Sequence, residues 1–146
     1  MLIKNIIGQK TEDEFITVRG EETLVEIARK MLGAPHRDLE DESGMNTMIL
    51  AAYVMEGNKP IGVIDRDDLL LASIIQRKDP ERTTAKDVMD KPVCISVNSD
   101  VQDVVNLILD KGLISVAVVD GDDLKGVLTV YDAIYLEEAT ADEFFK

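Results

Sequence analysis

The chain is 146 residues long, with 16 Lys and Arg against 29 Asp and Glu, and carries a formal net charge of −13. A field of that sign repels a phosphate backbone or an anionic membrane surface, which sets nucleic acid and membrane aside as partners. One Cys (Cys94) and one His (His36) can build neither an internal disulfide nor a Cys/His zinc cage, leaving only carboxylate sites for hard cations.

The first ten residues lack the apolar stretch and cleavage site of a secretory signal. The longest apolar run, residues 48–55, falls far short of the roughly 20 residues of a membrane helix, so a soluble, cytoplasmic protein is expected. Ile16 and Val18 begin a short strand. Leu24, Ile27, Ala28 and Met31 follow at i, i+3, i+4 and i+7, one face of a helix, and Thr23 with Glu26 has the spacing of a capping box at its start. Residues 33–45 are charged and bounded by Gly and Pro; they read as a solvated loop, or as a flap carrying His36 and Arg37 toward an anionic group. A strand over 49–55, a turn at Gly57 and Asn58, and a strand through Gly62 to Asp65 come next, then a helix through Leu69 to Ile75. Residues 77–84 are polar, broken by Pro80, and read as a linker.

The same succession then returns. Residues 62–68 superpose on 126–132 at an offset of 64, residues 49–55 fall on 113–119, and Gly57 falls on Gly121. Upstream the offset is 77, which lays Leu24, Ile27, Ala28 and Met31 on Val101, Val104, Val105 and Ile108. The difference, 13 residues, is the length of the 33–45 insertion. Ser99 with Gln102 repeats the capping spacing, and the β-branched run over 114–119 reads as a strand covered on both faces. Residues 120–123 (Asp-Gly-Asp-Asp) are turn chemistry, without the alternating oxygen ligands of a calcium loop. The division that follows is repeat 1 over 1–76, linker 77–84, and repeat 2 over 85–146 with an acidic tail. The class is α/β (α+β), two β-α-β-β-α repeats sharing one core.

Four stretches of the second copy carry a family pattern: Asp87-Val88-Met89, Pro92 through Val97, Ile114 through Asp120, and Gly126-Val-Leu-Thr129-Val-Tyr-Asp132. This closely resembles the cystathionine-β-synthase-type (CBS) domain, whose tandem pairs are called Bateman modules, and the resemblance runs from about Leu2 to Leu136. It implies two repeats packed through their sheets as one pseudo-two-fold module, a regulator and not an enzyme. It also implies adenosyl ligands (AMP, ADP, ATP or S-adenosylmethionine). In such modules each cleft combines a G-h-x-[T/S]-x-x-D motif from one repeat with strand backbone from the other. The intact motif is Gly126, Thr129 and Asp132, with Asp132 expected on the ribose hydroxyls and Thr129 near the phosphate; Thr17, Val18, Leu50 and Ala51 would complete that cleft. A Thr and an Asp three residues apart at a helix start also place a hydroxyl and a carboxylate beside free backbone N–H groups. The plainer reading is that both residues only cap the helix.

The first copy departs from the motif. Asp65 stands where Thr or Ser belongs, ahead of Asp68, and this degenerate cleft would be completed by Ile95, Ile114 and Ser115. Two carboxylates about 4 Å apart repel by roughly 4 kcal/mol at an effective dielectric of 20, so a phosphate there requires a cation or Arg66 to intervene. Three readings of this cleft stand open: it is empty, it takes an uncharged or cationic adenosyl ligand such as S-adenosylmethionine, whose sulfonium tolerates Asp65 better, or it needs Mg²⁺ with a nucleotide. Residues 69–75 and 133–136 are apolar on more than one helical face, which points to a homodimer through Leu69 to Ile75 and Ala133 to Leu136, acting on a further regulated protein. The acidic tail 137–146 is expected as a frayed end or a docking peptide. The alternatives are a protein-interaction scaffold that has lost ligand binding, or a divalent-cation-responsive module using Asp65, Asp67 and Asp68.

Overall fold

A computed structural model describes residues 1–9, 14–33 and 49–144, with side chains through residue 139. The 33–45 insertion, Gly33 apart, and the terminal residues 145–146 lie outside the described residues. The chain forms two compact units, Glu12–Pro92 and Met1–Thr11 with Val93–Lys146. Each holds a three-stranded sheet. In the first unit β1 (Phe15–Arg19) leads to α1 (Leu24–Met31), β2 (Ala51–Glu56), β3 (Lys59–Asp65) and α2 (Arg66–Leu70), followed by a short α3 (Ala85–Val88). In the second, β4 (Cys94–Ser96), α4 (Val101–Lys111), β5 (Ser115–Asp120), β6 (Asp123–Thr129) and α5 (Val130–Phe144) repeat the order. This is the β-α-β-β-α order read from the sequence.

Both sheets have the same topology. The first two strands run parallel and the last two form an antiparallel hairpin, in the orders β1-β2-β3 and β4-β5-β6. Each hairpin closes on two residues, with Gly57 or Gly121 first at φ +63°, where a side chain would be strained. Each ladder shifts register at the same place, between Val54 and Met55 and between Val118 and Val119, and Pro60 is accommodated at the first of these bulges.

Each unit has a core of its own. Val18, Leu24, Ile27, Met31, Val54 and Ile64 build the first; Ile95, Val104, Val105, Ile108, Val118 and Leu128 build the second. Val116, Ala117 and Val118 are buried on both faces as expected, whereas Ile114 precedes β5 and is exposed.

The compact units also cut across the repeat boundaries read from the sequence. Residues 1–9, the start of repeat 1, fold into the second unit, and residues 85–92, the start of repeat 2, fold into the first. These leaders are built alike. Leu2 N–H bonds Asn5 Oδ1 at 3.1 Å, as Thr84 N–H bonds Asp87 Oδ2 at 2.9 Å. Leu2 bridges to Asp100 and Thr84 to Thr23, the residues that cap α4 and α1. Ile3 and Ala85, at matching positions, are fully buried in the two cores.

The expected linker is structural too. Thr83 and Pro80 carbonyls accept the Leu24 and Val25 N–H groups at 3.0 and 3.1 Å. Thr23 Oγ1 accepts from Glu26, so these bonds provide for the opening N–H groups of α1. The capping box at Thr23 and Glu26 forms as read. At α4 the cap moves by one residue: Asp100, not Ser99, accepts the Gln102 N–H at 3.0 Å, because a carboxylate one position nearer reaches the same donor. The helix expected through Ile75 widens after Leu70 into a π-helical turn, Leu71–Ile75, closed by Gln76 N–H on the Leu71 carbonyl. Ser73 Oγ donates to the Leu69 carbonyl at 2.6 Å and so competes for that acceptor, which accounts for the local widening. The acidic tail, expected frayed or docking, continues α5 to Phe144.

If the leader completes the second core, Ile3→Ala should cost about 2–5 kcal/mol in urea unfolding, like any large-to-small change at a closed site. The exposed neighbour change Lys4→Ala should stay within about 0.5 kcal/mol.

Candidate functional site

The intact motif sits at the junction of β6 and α5. Thr129, 1% exposed, ends the strand, and the helix begins at once. Asp132 Oδ2 accepts the Thr129 N–H at 2.8 Å and lies 3.2 Å from Thr129 Oγ1, and the Asp132 N–H donates to Thr129 Oγ1 at 3.3 Å. The Val130 N–H donates to the Ile114 carbonyl at 2.9 Å. The N–H groups of residues 129, 130 and 132 are therefore engaged, which corrects the expectation of free amides at this helix start. Capping and the motif are one arrangement here. A carboxylate has about four acceptor positions, so the cap does not exhaust Asp132.

The degenerate motif makes the same box from two carboxylates. Asp65 N–H donates to Asp68 Oδ2 and Asp68 N–H to Asp65 Oδ1, both at 2.9 Å. Arg66 Nε donates to the Ile49 carbonyl at 3.2 Å. Asp68 is the perturbed group. Burial, working against the Asp65 N–H, together with the acceptor Asp90, which favours the protonated form, and the charges of Asp65 and Asp90, pushes its carboxyl up to about 7. Among the described residues no three His, Cys, Asp or Glu side chains are arranged to hold a metal ion, so the divalent-cation alternative finds no ligand set there.

The other candidate residues gather unit by unit. Ala51 is the register partner of Asp65, and Thr17 and Val18 lie on the neighbouring β1 opposite Tyr53 and Val54. The Leu50 N–H donates to the Glu14 carbonyl at the mouth of the same ladder. In the second unit Ser115 is the partner of Thr129, Ile114 abuts it through Val130, and Ile95 pairs with Val118 one strand over. Each unit thus gathers one motif and one set of strand positions at the same end of its sheet. Asp90 was missed in the sequence; the repeat of leaders at an offset of 82, with Lys4, Asn5 and Ile7 on Lys86, Asp87 and Met89, was the signal that could have found it.

A β-α-β-β-α unit repeated twice, with a Gly-x-x-Thr-x-x-Asp turn in its second copy, defines a tandem-repeat α/β module. The CBS domain family model matches residues 4–74 and 85–138, and the chain belongs to that family as a tandem pair. Uncharacterized protein MK0525 of Methanopyrus kandleri is 34% identical over 146 residues, covering 96% of this chain and 68% of that protein. The CBS domain protein PAE2072 from Pyrobaculum aerophilum, complexed with AMP, has the same fold: TM-score 0.70, 20% identity, 96% of this chain and 99% of that one covered. The cytosolic domain of the Mg²⁺ channel MgtE, in complex with ATP, superposes at TM-score 0.64 with 27% identity over 84% of this chain; the alignment takes in only 45% of that longer chain.

Among the described residues no helix is long and apolar enough to cross a membrane. As the buried cap of α5, Thr129 is expected to matter for stability: Thr129→Ala should cost about 1–2 kcal/mol in thermal unfolding and Thr129→Ser most of an order less.

Proposed function

We propose that this protein is a regulatory adenosyl-ligand module, binding AMP, ADP, ATP or S-adenosylmethionine and acting on a partner protein in the cytoplasm. The observation that carries the reading is the Gly126, Thr129 and Asp132 turn, intact and pre-formed at the start of a fifteen-residue helix. Membership of the CBS domain family supports it, as do the AMP and ATP held by two structural relatives. In this reading Asp132 accepts the ribose hydroxyls while its cap to Thr129 holds the carboxylate in place. Thr129 orients Asp132 and lies toward the phosphate, and Thr17, Val18, Leu50 and Ala51 of the other repeat supply the adenine-facing backbone. The position at Asp65 and Asp68, with Ile95, Ile114 and Ser115, takes a neutral or cationic adenosyl ligand in preference to a phosphate, with Mg²⁺ required for a nucleotide there. Regulation, not catalysis, is the output. The repeats keep the division 1–76 and 85–146 as units of ligand recognition, joined by 77–84.

The helices provide the assembly surface. Leu70, Leu71, Ile74 and Ile75 in the first unit, and Tyr131, Ile134 and Tyr135 in the second, are large apolar side chains left exposed; Ile75 and Tyr135 are 71% and 70% accessible. A second copy covering these faces makes an isologous two-fold dimer.

Thermal unfolding against the four ligands, with and without Mg²⁺, tests the reading. A ligand at 100 times its Kd should stabilise the protein by about 2.7 kcal/mol, and Asp132→Ala should abolish the shift. No shift with any of them overturns the reading in favour of an interaction scaffold. For the assembly, Ile74→Glu with Tyr135→Glu should convert a dimer to a folded monomer in light scattering; a wild-type monomer overturns it.

A further inference from the structure

The two exposed apolar faces match in position but not in charge. At the offset of 64, Leu70 and Leu71 fall on Ile134 and Tyr135, all four exposed, whereas Ile74 falls on Glu138. Glu138 is exposed and stands four residues after Ile134 and three after Tyr135, so it continues the same side of α5 by one turn. Glu137 beside it is exposed as well. From Val130 to Phe144 the helix has no Lys or Arg, and no basic residue meets the negative end of its dipole. To any neighbouring surface α5 therefore offers carboxylates and no cation.

The first unit ends its apolar face the other way. The π-helical turn stops at Ile75, and the Lys78 N–H closes on the Ala72 carbonyl at 2.9 Å. That closure puts Arg77 in the left-handed region at φ 57°, the one non-glycine residue with positive φ among those described. A Cβ is strained there, and glycine is the residue that avoids the strain. Arg77 is exposed, and among the described residues it makes no ion pair. Other cations of this unit are engaged nearby: Arg66 Nε bonds the Ile49 carbonyl, and Arg82 Nε lies 3.7 Å from Asp79 Oδ2. Arg77, with the exposed Lys78 after it, sets positive charge at the C-terminal edge of Leu71, Ile74 and Ile75.

We propose that the dimer pairs unlike units: the Leu71, Ile74 and Ile75 face of one copy covers the Tyr131, Ile134 and Tyr135 face of the other, with Arg77 of each copy beside Glu138 of the second. This pairing rests on the dimer reading above and adds which faces meet. A two-fold axis makes both contacts equivalent, so each ion pair occurs twice. A dimer of like faces must bring α5 against α5 or leave both α5 faces in water. In either helix direction α5 against α5 sets carboxylates together with no cation between them.

Sedimentation equilibrium on the full chain without ligand tests the pairing through Arg77→Glu, Glu138→Arg and the double variant, with circular dichroism checking each fold. Each single reversal should weaken the dimer about tenfold, because two ion pairs turn repulsive at once, and the double variant should return close to the wild-type Kd. Glu138→Arg also lowers the net charge, so weakening there is not a general charge effect. A second measurement stands if a charge variant folds poorly. With the native Cys94 replaced by Ser, Ile74→Cys and Tyr135→Cys chains should cross-link through a short bismaleimide when mixed, and neither alone. A wild-type dimer whose Kd neither reversal weakens, a double variant that is not restored, or self-cross-linking of either Cys variant overturns the unlike pairing and leaves the dimer reading in place. A monomeric wild type overturns the dimer reading, and this pairing with it.

Discussion

The close approach of a leader segment to the last strand of each sheet is the constraint on which the rest depends. A Cβ on Gly62 would sit 2.2 Å from Met89 Sδ, and one on Gly126 would sit 2.8 Å from Ile7 Cδ1. Real side-chain carbons do not approach so closely, so each leader packs against a glycine and a side chain there would have to displace it. That contact lets Ile3 and Ala85 close the cores from below and pins the backbone three residues ahead of Thr129 and Asp65, where the helices begin. The crowding differs in kind. At Gly126 only the end of Ile7 is in the way, a flexible tip that can swing aside. At Gly62 the Met89 side chain is crowded as far back as its own Cβ, so relief there would have to move the leader backbone, and Asp90 with it.

What the sequence shows follows from which interactions are local. The offsets of 64 and 77, the helix face at Leu24, Ile27 and Met31, the Thr23–Glu26 box and the Gly57 and Gly121 turns all depend on neighbours within a few residues, and each is present in the fold. The leaders are harder to read because each is short and folds onto the half that it does not precede in the chain. Their seven positions pair Leu2 with Thr84 and Ile3 with Ala85, a match of burial and hydrogen bonding rather than of residue type. The linker misled for a related reason: its composition is that of a solvated loop, yet its carbonyls at Pro80 and Thr83 provide for α1. Backbone acceptors leave no mark on composition.

The site was legible in its residues and not in its state. Thr129 and Asp132 were readable as either a cap or a ligand pair, and the fold shows why those readings do not compete. A carboxylate oriented by two donors at a helix start has already given up the conformational freedom that binding would otherwise cost. Asp65 could be read as a departure from the motif, but its consequence could not. It keeps the box closed, so the local fold survives the change from Thr to Asp, while its charge is added to a place that already faces Asp90.

That combination makes the two turns unequal while the sheets that carry them keep one topology. Both units keep the same strand order, the same bulge and the same reciprocal cap. Their turn chemistry is opposite in one respect: the second presents a hydroxyl with a carboxylate, the first two carboxylates with a third behind them. Phosphate is repelled by the first arrangement and not by the hydroxyl of the second, because like charges at this range cost several times thermal energy even with partial solvent screening. Asp68 is only partly withdrawn from water, so proton uptake is the least costly way to relieve the crowding, and it does so without moving the backbone. A repeated fold that keeps the strand order, bulge and cap around one turn while changing the charge there can hold two positions of matching local geometry and unlike preference.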